Sequence, residues 1–213
     1  NHRSKHQANL GKALLSNVMD VAVRRGLIPL NPCRQVKRNK VKGRSRYMTD
    51  AEFQAIRAHA KPCLQTAMDI SYLTGARISD VLSIRLSAWT EEGLMIRQIK
   101  TKALQLFRRT PELEKVIADA KRISRPFRSL YLISTRTGDK YSTSTMRGYW
   151  LDAVEKAGVK DVHFHDIRGK SATDAKLDGE DYQALLGHTT RAMSDAYIKL
   201  EQPSLVTPRK RGL

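Results

Sequence analysis

Apolar residues near the start of the chain recur on one helix face, at intervals of four, four and three positions: Leu10, Leu14, Val18 and Val21. This spacing predicts one amphipathic helix over residues 8–25. Pro29 and the Asn31-Pro32 pair end it, because proline cannot continue a helix and restricts the residue before it. A single helix cannot bury its own apolar stripe, so we expect this face to pack on further structure.

A second series of elements begins at Thr49. Thr49 and Glu52 fit a capping box, in which the threonine hydroxyl and the glutamate side chain satisfy backbone N–H groups at a helix start. The pattern then predicts three helices, with Gly75 ending the second of them: 49–59, 62–74 and 77–85.

The pattern changes after residue 93, where two short apolar runs predict strands over 94–99 and 104–109, joined by a basic turn. Thr110-Pro111 is typical of a helix start, since proline is favoured at the first helical position. Residues 130–133 form a candidate short strand. The chain from Thr143 onward is mostly helical, with breaks at Gly158, Gly179 and Gly187. These elements predict a mainly α fold with a small antiparallel β-hairpin.

The segment from Arg34 to Arg46 is strongly basic, since seven of its thirteen residues are Lys or Arg and none is acidic. It has little apolar periodicity, and the simplest interpretation is a solvated linker. A second interpretation is a linker that lies along DNA phosphates, where each neutralised phosphate releases counterions. The two interpretations are compatible.

The overall charge indicates the kind of partner. The 213 residues include 39 Lys+Arg against 21 Asp+Glu, a formal charge of +18, and the 40% of hydrophobic residues suffice for a buried core. A polyanion explains this charge better than a neutral metabolite does, and nucleic acid is the commonest polyanion. The sequence has no apolar run of about 18 residues and no basic amphipathic helix with an aromatic face, which argues against a membrane.

The sequence offers no pattern for a cofactor or a metal. Cys33 and Cys63 form no CxxC pair and cannot assemble a zinc site, which fits a reducing compartment. A glycine-rich phosphate loop is also missing, so we expect side chains alone to do any phosphoryl chemistry. The chain has no signal peptide at its start and opens at Asn1 in mid-pattern, which indicates a piece of a longer protein.

Four local patterns carry candidate chemistry: Leu73 to Leu82 around Arg77, Lys100-Thr101-Lys102 at the predicted turn, His165 with Arg168, and Leu185 to His188 followed nine residues later by Tyr197. Each has an ordinary alternative. A lone arginine or lysine is typical of a solvated surface, and a lone histidine is typical of a partly buried position. Tyr197 falls in a predicted apolar-flanked helix, where a tyrosine is typically part of the core.

Together the four patterns resemble the tyrosine recombinase family, which includes phage integrases and chromosome-dimer resolvases. That family has an arginine after a Thr-Gly pair, a hairpin lysine, a histidine three residues before an arginine, a Leu-Gly-His sequence and then a tyrosine. The resemblance covers about residues 45–200 and implies the tyrosine-recombinase (DNA breaking-rejoining) catalytic fold. It also implies three parts of the chain: a C-terminal remnant of a core-binding domain at 1–36, a basic linker at 37–46 and a catalytic domain at 47–213.

The resemblance implies that Tyr197 is a covalent nucleophile, which leaves a 3′-phosphotyrosine link and a free 5′-hydroxyl without metal or ATP. A phenol with a pKa near 10 needs help to react at neutral pH. Arg77 and Arg168 are expected to grip the non-bridging phosphate oxygens with their planar forks. Asp80 either orients Arg77 or lies on an ordinary helix surface. The family often has a hydrophobic or basic stretch after its second arginine, where this chain has Gly169-Lys170-Ser171.

Three further roles follow from the resemblance. His165 is expected to accept the tyrosine proton and His188 to donate a hydrogen bond to the phosphate. Lys100 is expected to protonate the leaving 5′ oxygen, and it is favoured over Lys102 because it precedes a threonine as in the family pattern. His163 lies nearby, but only His165 has the family spacing to the second arginine.

The function implied is a site-specific DNA recombinase that acts on double-stranded DNA attachment sites. The resemblance implies a homotetramer on DNA that works through a Holliday junction, a monomer without DNA, accessory DNA-bending or directionality proteins, and a place at the nucleoid in the cytoplasm of a bacterial host. The tail over residues 201–213 is expected to dock on a neighbouring subunit. Two alternatives share the charge or the chemistry, namely a non-catalytic sequence-specific DNA-binding protein and a type IB topoisomerase-like enzyme.

Overall fold

The computed structural model describes residues 4–41, 43–123 and 129–200. The chain divides between Arg44 and Ser45 into two compact units. The predicted docking role of the tail falls on residues 201–213, outside the described ones. Among the residues described, no helix is both long and apolar enough to cross a membrane.

The first unit consists of one long helix and the segment after it. Helix α1 (Lys5–Arg24) matches the predicted amphipathic helix and begins with a capping box at Ser4. The Asn31 side chain holds the following segment, because its Nδ2 donates to Ser16 O at 2.9 Å and its Oδ1 accepts from Cys33 N at 2.9 Å. No residue of α1 is buried within the structure, and Leu14 is 68% exposed. The apolar stripe therefore forms as predicted and stays uncovered.

The second unit opens with the predicted helices α2 (Asp50–His59) and α3 (Pro62–Thr74). Both halves of the capping box between Thr49 and Glu52 are present, and α3 ends at Gly75 in the left-handed conformation. Helix α3 packs against α5 (Pro111–Arg122) and α7 (Asp166–Leu177), and it contributes fully buried side chains to the core, among them Leu64, Met68 and Ile70.

The predicted helix over 77–85 is wrong in its second half. Helix α4 (Ile78–Val81) has four residues, and a 3-10 turn follows over Leu86–Ala88. The chain leaves the helix because its backbone pairs with a distant segment: Leu86 N donates to Leu130 O at 2.8 Å, and Leu132 N donates to Ile84 O at 2.9 Å. The same pairing replaces the predicted strand over 130–133 with a single bridge between Arg85 and Tyr131.

The β-hairpin has the predicted position. Strands β1 (Gly93–Arg97) and β2 (Leu104–Arg108) pair antiparallel, with Arg97 opposite Leu104 at the turn end. The remaining helices are α6 (Thr143–Lys156), α8 (Tyr182–Leu186) and α9 (Arg191–Asp195). The predicted breaks at three glycines are confirmed, since Gly158, Gly179 and Gly187 all adopt positive φ at helix ends. Over the residues that the structure describes, the fold is therefore mostly helical with one two-stranded sheet.

Candidate active site

Arg168 lies at the centre of the candidate site. It is only 2% exposed on the first turns of α7. Its guanidinium donates to the carbonyl of Gly75 and, at 2.9 Å, to that of Leu186, so it joins the ends of α3 and α8. Its Nε–H is buried and has no hydrogen-bond partner among the described residues. An unpaired buried N–H is costly, and an anionic oxygen would satisfy it.

His188 follows α8 and contacts Arg168 directly. Its Nε2 lies 3.0 Å from Arg168 Nη2, and its Nδ1 lies 3.0 Å from Ser194 Oγ. Because a guanidinium only donates, Nε2 accepts and the ring proton sits on Nδ1, which donates to Ser194. Burial, with the charges of Arg168 and Arg77, lowers the pKa of His188 to about 4, so the ring is neutral at pH 7.

Gly187 is required immediately before this histidine for two reasons. Its φ of +62° is left-handed, and a Cβ there would lie only 2.5 Å from Gln98 Nε2. The backbone can therefore turn from α8 into the site only when this position has no side chain.

Tyr197 lies beside both histidines and Arg168. Its ring centroid is 5.6 Å from that of His165, 5.4 Å from that of His188 and 5.1 Å from Arg168 Cζ. The prediction that Tyr197 lies within a helix is wrong, because α9 ends at Asp195.

The cause is a contact between the tyrosine segment and α7. Lys199 N donates to the buried Thr173 Oγ1 at 3.0 Å, which draws the chain off the helix axis. Gly169 gives this segment room, since a Cβ there would lie 3.2 Å from Lys199 Cε and 3.5 Å from Tyr197 O.

His165 occupies the position just before α7, where its side chain makes no capping hydrogen bond to the described helix. The turn before it is held by Asp166, whose Oδ2 accepts from His163 N at 2.8 Å. Atoms packed around the ring lower the pKa of His165, and the positive charges of Arg168 and Arg77 lower it further. A neutral imidazole is able to accept a proton. His163, in contrast, lines a groove with Trp150.

Arg77 lies at the start of α4 and approaches the hairpin. Its Nη1 donates to Gln98 Oε1 at 3.0 Å and lies 3.9 Å from Asp80 Oδ2. Asp80 is 2% exposed, so it is not an ordinary helix-surface residue. Its Oδ1 also accepts from Ile99 N at 2.9 Å, which ties the hairpin to the arginine. Burial lowers the pKa of both Arg168 and His188, and the charge of Arg77 lowers both further, so Arg77 lies near these two side chains.

Lys100 occupies the turn between β1 and β2 and is exposed. Among the described residues its side chain makes no hydrogen bond and no ion pair. The next residue does connect the turn to the site, because Thr101 Oγ1 donates to Gln98 Oε1 at 2.9 Å. The structure therefore gathers His165, Arg168 and His188 around Tyr197. Arg77 lies close enough for its charge to act on the same two histidines and on Arg168. Lys100 stays on a turn that is tied to these residues indirectly.

Lys170, in the Gly169-Lys170-Ser171 segment that departs from the family pattern, is buried. It is 1% exposed, and its Nζ lies 2.6 Å from Asp50 Oδ1 and 2.7 Å from Asp174 Oδ2. Burial disfavours its charge, but these two carboxylates and the Tyr47 hydroxyl outweigh that effect and raise the pKa of Lys170. The paired lysine thus holds α7 against the start of α2.

Two residues that bond to side chains of the candidate site were not predicted from the sequence. Gln98 is 2% exposed and Ser194 is fully buried. A signal for Gln98 was present, because Leu94, Ile96 and Gln98 alternate on the inward face of β1 and its continuation. A polar residue at a buried strand position needs partners. No sequence pattern indicated Ser194, because its contact with His188 depends on the turn after Gly187.

No group of three or more His, Cys, Asp or Glu within residues 4–41, 43–123 and 129–200 is arranged to hold a metal ion.

Comparisons with known proteins agree with this architecture. The family model "phage integrase family" matches residues 46–203. The integrase of Enterobacteria phage P21 is 26% identical over 211 residues, which cover 89% of this chain and 56% of the relative. The chain thus spans little more than half the length of this curated relative.

Solved structures show the same fold. A lambda integrase dimer bound to a COC′ core site has a TM-score of 0.81 and 22% identity, and the match covers 97% of this chain and 77% of that one. A lambda integrase tetramer bound to a Holliday junction has a TM-score of 0.76 and 23% identity, with 87% and 59% covered. The predicted fold class is confirmed. Because the family model matches most of its length, the chain belongs to the phage integrase family.

Proposed function

We propose that this chain is the catalytic part of a site-specific DNA recombinase that cleaves and rejoins DNA through a 3′-phosphotyrosine link at Tyr197. The observation that carries the proposal is the arrangement around this tyrosine, with one buried arginine and two histidines beside it. Metal-free phosphoryl transfer needs a nucleophile, stabilisation of charge on the phosphate and a proton for the leaving oxygen. The described site supplies groups for the first two.

The buried arginine has one unpaired donor to offer a phosphate. The Nη groups of Arg168 donate to two carbonyls and to His188, while its Nε–H has no partner within the described part of the chain. Arg77 adds a second fork from α4. Preorganised donors in a buried site stabilise developing charge without reorganisation. We assign both arginines to the non-bridging oxygens.

The reaction balances with the residues at hand. Tyr197 Oη attacks phosphorus, and its proton passes to the neutral imidazole of His165. The bond from phosphorus to the 5′ oxygen breaks, and Lys100 gives a proton to that oxygen from the hairpin turn. The products are a phosphotyrosine link and a 5′-hydroxyl, and the reverse sequence rejoins the strand. The link keeps the energy of the phosphodiester bond, so no ATP is needed.

His188 enters this scheme only after a change. In the arrangement described, its Nε2 accepts from Arg168, so it has no proton to donate toward a phosphate. Donation requires Arg168 to turn its Nη2 toward the phosphate and the ring proton to move to Nε2. Ser194 is then able to donate to Nδ1 instead of accepting from it.

The proposed division of the chain keeps the bounds that the resemblance implies. We assign residues 1–36 to the end of a core-binding domain, 37–46 to a basic linker and 47–213 to the catalytic domain. Support comes from the family match, which begins at residue 46, and from the division between the two compact units. The exposed apolar face of α1 fits a domain whose other helices are supplied elsewhere.

We assign double-stranded DNA attachment sites as the substrate and a homotetramer as the assembly that exchanges strands. The +18 charge supports a DNA partner. The tetramer is supported by the lambda integrase structure on a Holliday junction, which shares this fold. Accessory DNA-bending or directionality proteins, and action at the nucleoid in the cytoplasm of a bacterial host, belong to the same proposal, and the phage relatives support the host.

A covalent-capture experiment tests the proposal. The chain is incubated with a pool of nicked duplexes of random sequence, and adducts that survive denaturation are recovered and sequenced. Wild type should form adducts on a restricted set of sequences, and Tyr197→Phe should form none. Adducts on unrestricted sequences, with relaxation of supercoiled plasmid, would indicate a topoisomerase. DNA binding without any adduct would indicate a non-catalytic binding protein and would sink the enzymatic proposal.

A further inference from the structure

Gln98 is a buried amide placed between three segments of the candidate site. It follows β1, continues the inward face of that strand and is 2% exposed. None of the four sequence patterns includes it. A buried primary amide carries two donors and two acceptor positions, and each of them needs a partner.

All four bonding positions of the Gln98 amide are used. Its Oε1 accepts from Arg77 Nη1 at 3.0 Å and from Thr101 Oγ1 at 2.9 Å. Its Nε2 donates to Leu186 O at 3.0 Å and to Gln105 Oε1 at 2.7 Å. The orientation of the amide is settled by chemistry, because a guanidinium only donates and must face the oxygen.

The third segment is the one that carries His188. The carbonyl of Leu186 accepts from Gln98 Nε2 and also from Arg168 Nη2. A Cβ on Gly187 would lie only 2.5 Å from Gln98 Nε2. One carbonyl therefore joins the Gln98 network to the buried arginine, and the glycine before His188 leaves room for that network.

We propose that Gln98 is a positioning residue. It fixes the guanidinium of Arg77 and the turn that bears Lys100 in position relative to the Leu186–His188 segment. The inference rests on the proposed function. Glutamine suits the position because it accepts from Arg77 and Thr101 on one side and donates to Leu186 on the other. A glutamate would keep the first two bonds but would place a carboxylate against the Leu186 carbonyl, and a leucine would keep none.

The link to Lys100 passes through Thr101. The threonine is exposed, so its side chain adds little to the core, but its hydroxyl bond holds the turn beside the lysine. Displacement of a reacting group by about 1 Å costs roughly 100-fold in rate. Loss of the Thr101 bond should therefore slow proton delivery to the leaving oxygen and leave the phosphate-binding arginines in place.

The test measures single-turnover cleavage of the nicked duplex that wild type cleaves fastest, with either oxygen or sulfur at the 5′ bridging position. A thiolate leaves without a proton, so sulfur removes the need for a general acid. Thr101→Val should cleave the oxygen substrate about 10-fold more slowly and the sulfur substrate within about 2-fold of wild type. Gln98→Leu should lose about 100-fold on the oxygen substrate and recover only partly with sulfur, because Arg77 is displaced as well.

Two matched controls make the same chemical changes elsewhere. Thr137→Val alters an exposed threonine that bonds within its own turn, and Gln65→Leu removes an amide that donates to the Arg57 carbonyl. Both controls should cleave as wild type. If Gln98→Leu does not fold, Thr101→Val still tests the inference, because a valine at this exposed position does not unfold the chain.

The inference is overturned if Thr101→Val cleaves as Thr137→Val does, or if sulfur leaves its deficit unchanged. It is also overturned if folded Gln98→Leu cleaves as Gln65→Leu does. Absence of any adduct with wild type would instead contradict the proposed function, so the two failures are distinguishable.

Discussion

The two sides of the candidate site are built differently. On one side Arg168 and His188 are buried, at 2% and 8% exposure, and bond to backbone carbonyls and to Ser194. On the other side Lys100 lies on an exposed turn that is joined to the site through Thr101 and Gln98. Folding of the domain therefore places the arginine side, while a short hairpin turn places the lysine.

This difference has a physical sense. Groups that stabilise charge on a phosphate work best when they are fixed and dry before the substrate arrives. A lysine on an exposed turn is able to approach a leaving oxygen once the substrate is bound. We expect substitutions on the two sides to separate into those that affect stability and cleavage together and those that affect cleavage alone.

The largest effect is expected for Arg168→Lys. The lysine keeps the charge but loses the bonds to Gly75, Leu186 and His188, and arginine and lysine are not equivalent at such a site. Cleavage should fall by about 10²–10³-fold, the loss typical of one removed charge-stabilising donor, and the melting temperature should fall too. Arg122→Lys, at an exposed position of α5, serves as the control. Cleavage within 10-fold of wild type would show that the buried fork is not the phosphate ligand.

Lys100→Ala should reduce cleavage of the oxygen substrate by about 10²-fold, the lower end for loss of a general acid. Because the side chain is exposed, the melting temperature should not change. Lys102→Ala should cleave as wild type, and the sulfur substrate should restore Lys100→Ala. A larger loss for Lys102→Ala would transfer the proton-donor role to that residue.

Ser194→Ala tests how His188 is held. The alanine removes the Ser194 hydroxyl that bonds to Nδ1, which leaves this nitrogen buried and unsatisfied. Cleavage should fall by about 10-fold, since one hydrogen bond of about 1–2 kcal/mol is lost. Ser194→Thr should keep most of the activity because it keeps the hydroxyl. If alanine and threonine behave alike, the bond does not position the ring.

The last prediction concerns stability alone, through its dependence on pH, and no change in cleavage is needed to test it. The pKa of His188 falls from 6.5 to about 4 on folding, and that of His165 is lowered too. Below pH 6.5 the unfolded chain therefore binds protons that the folded chain does not, so this stability is present above pH 6.5 and is lost as the pH falls toward 4. Melting curves at pH 7.5, 6 and 5 should show a smaller decline for His188→Gln than for wild type. The stability of the control His59→Gln, changed at the exposed end of α2, should decline as that of wild type does. An equal decline in His188→Gln and His59→Gln would contradict the lowered pKa of His188.

Much of this protein was determined by its sequence alone. Helix starts at Thr49 and Thr110 depend on neighbouring residues, as does the end of α3 at Gly75, so local chemistry was enough to predict them. The candidate residues around Tyr197 were also named from sequence, because their spacing resembles a family pattern. The spacing did not show that they meet.

The tertiary structure alone decided the features that depend on distant partners. Helix α4 is short because residues near 85 pair with residues near 131, and Tyr197 leaves α9 because the segment after it bonds to Thr173. The partners of Gln98 are separated from it by 21 positions on one side and 88 on the other. No local pattern encodes such contacts, since folding sets the distances between those segments.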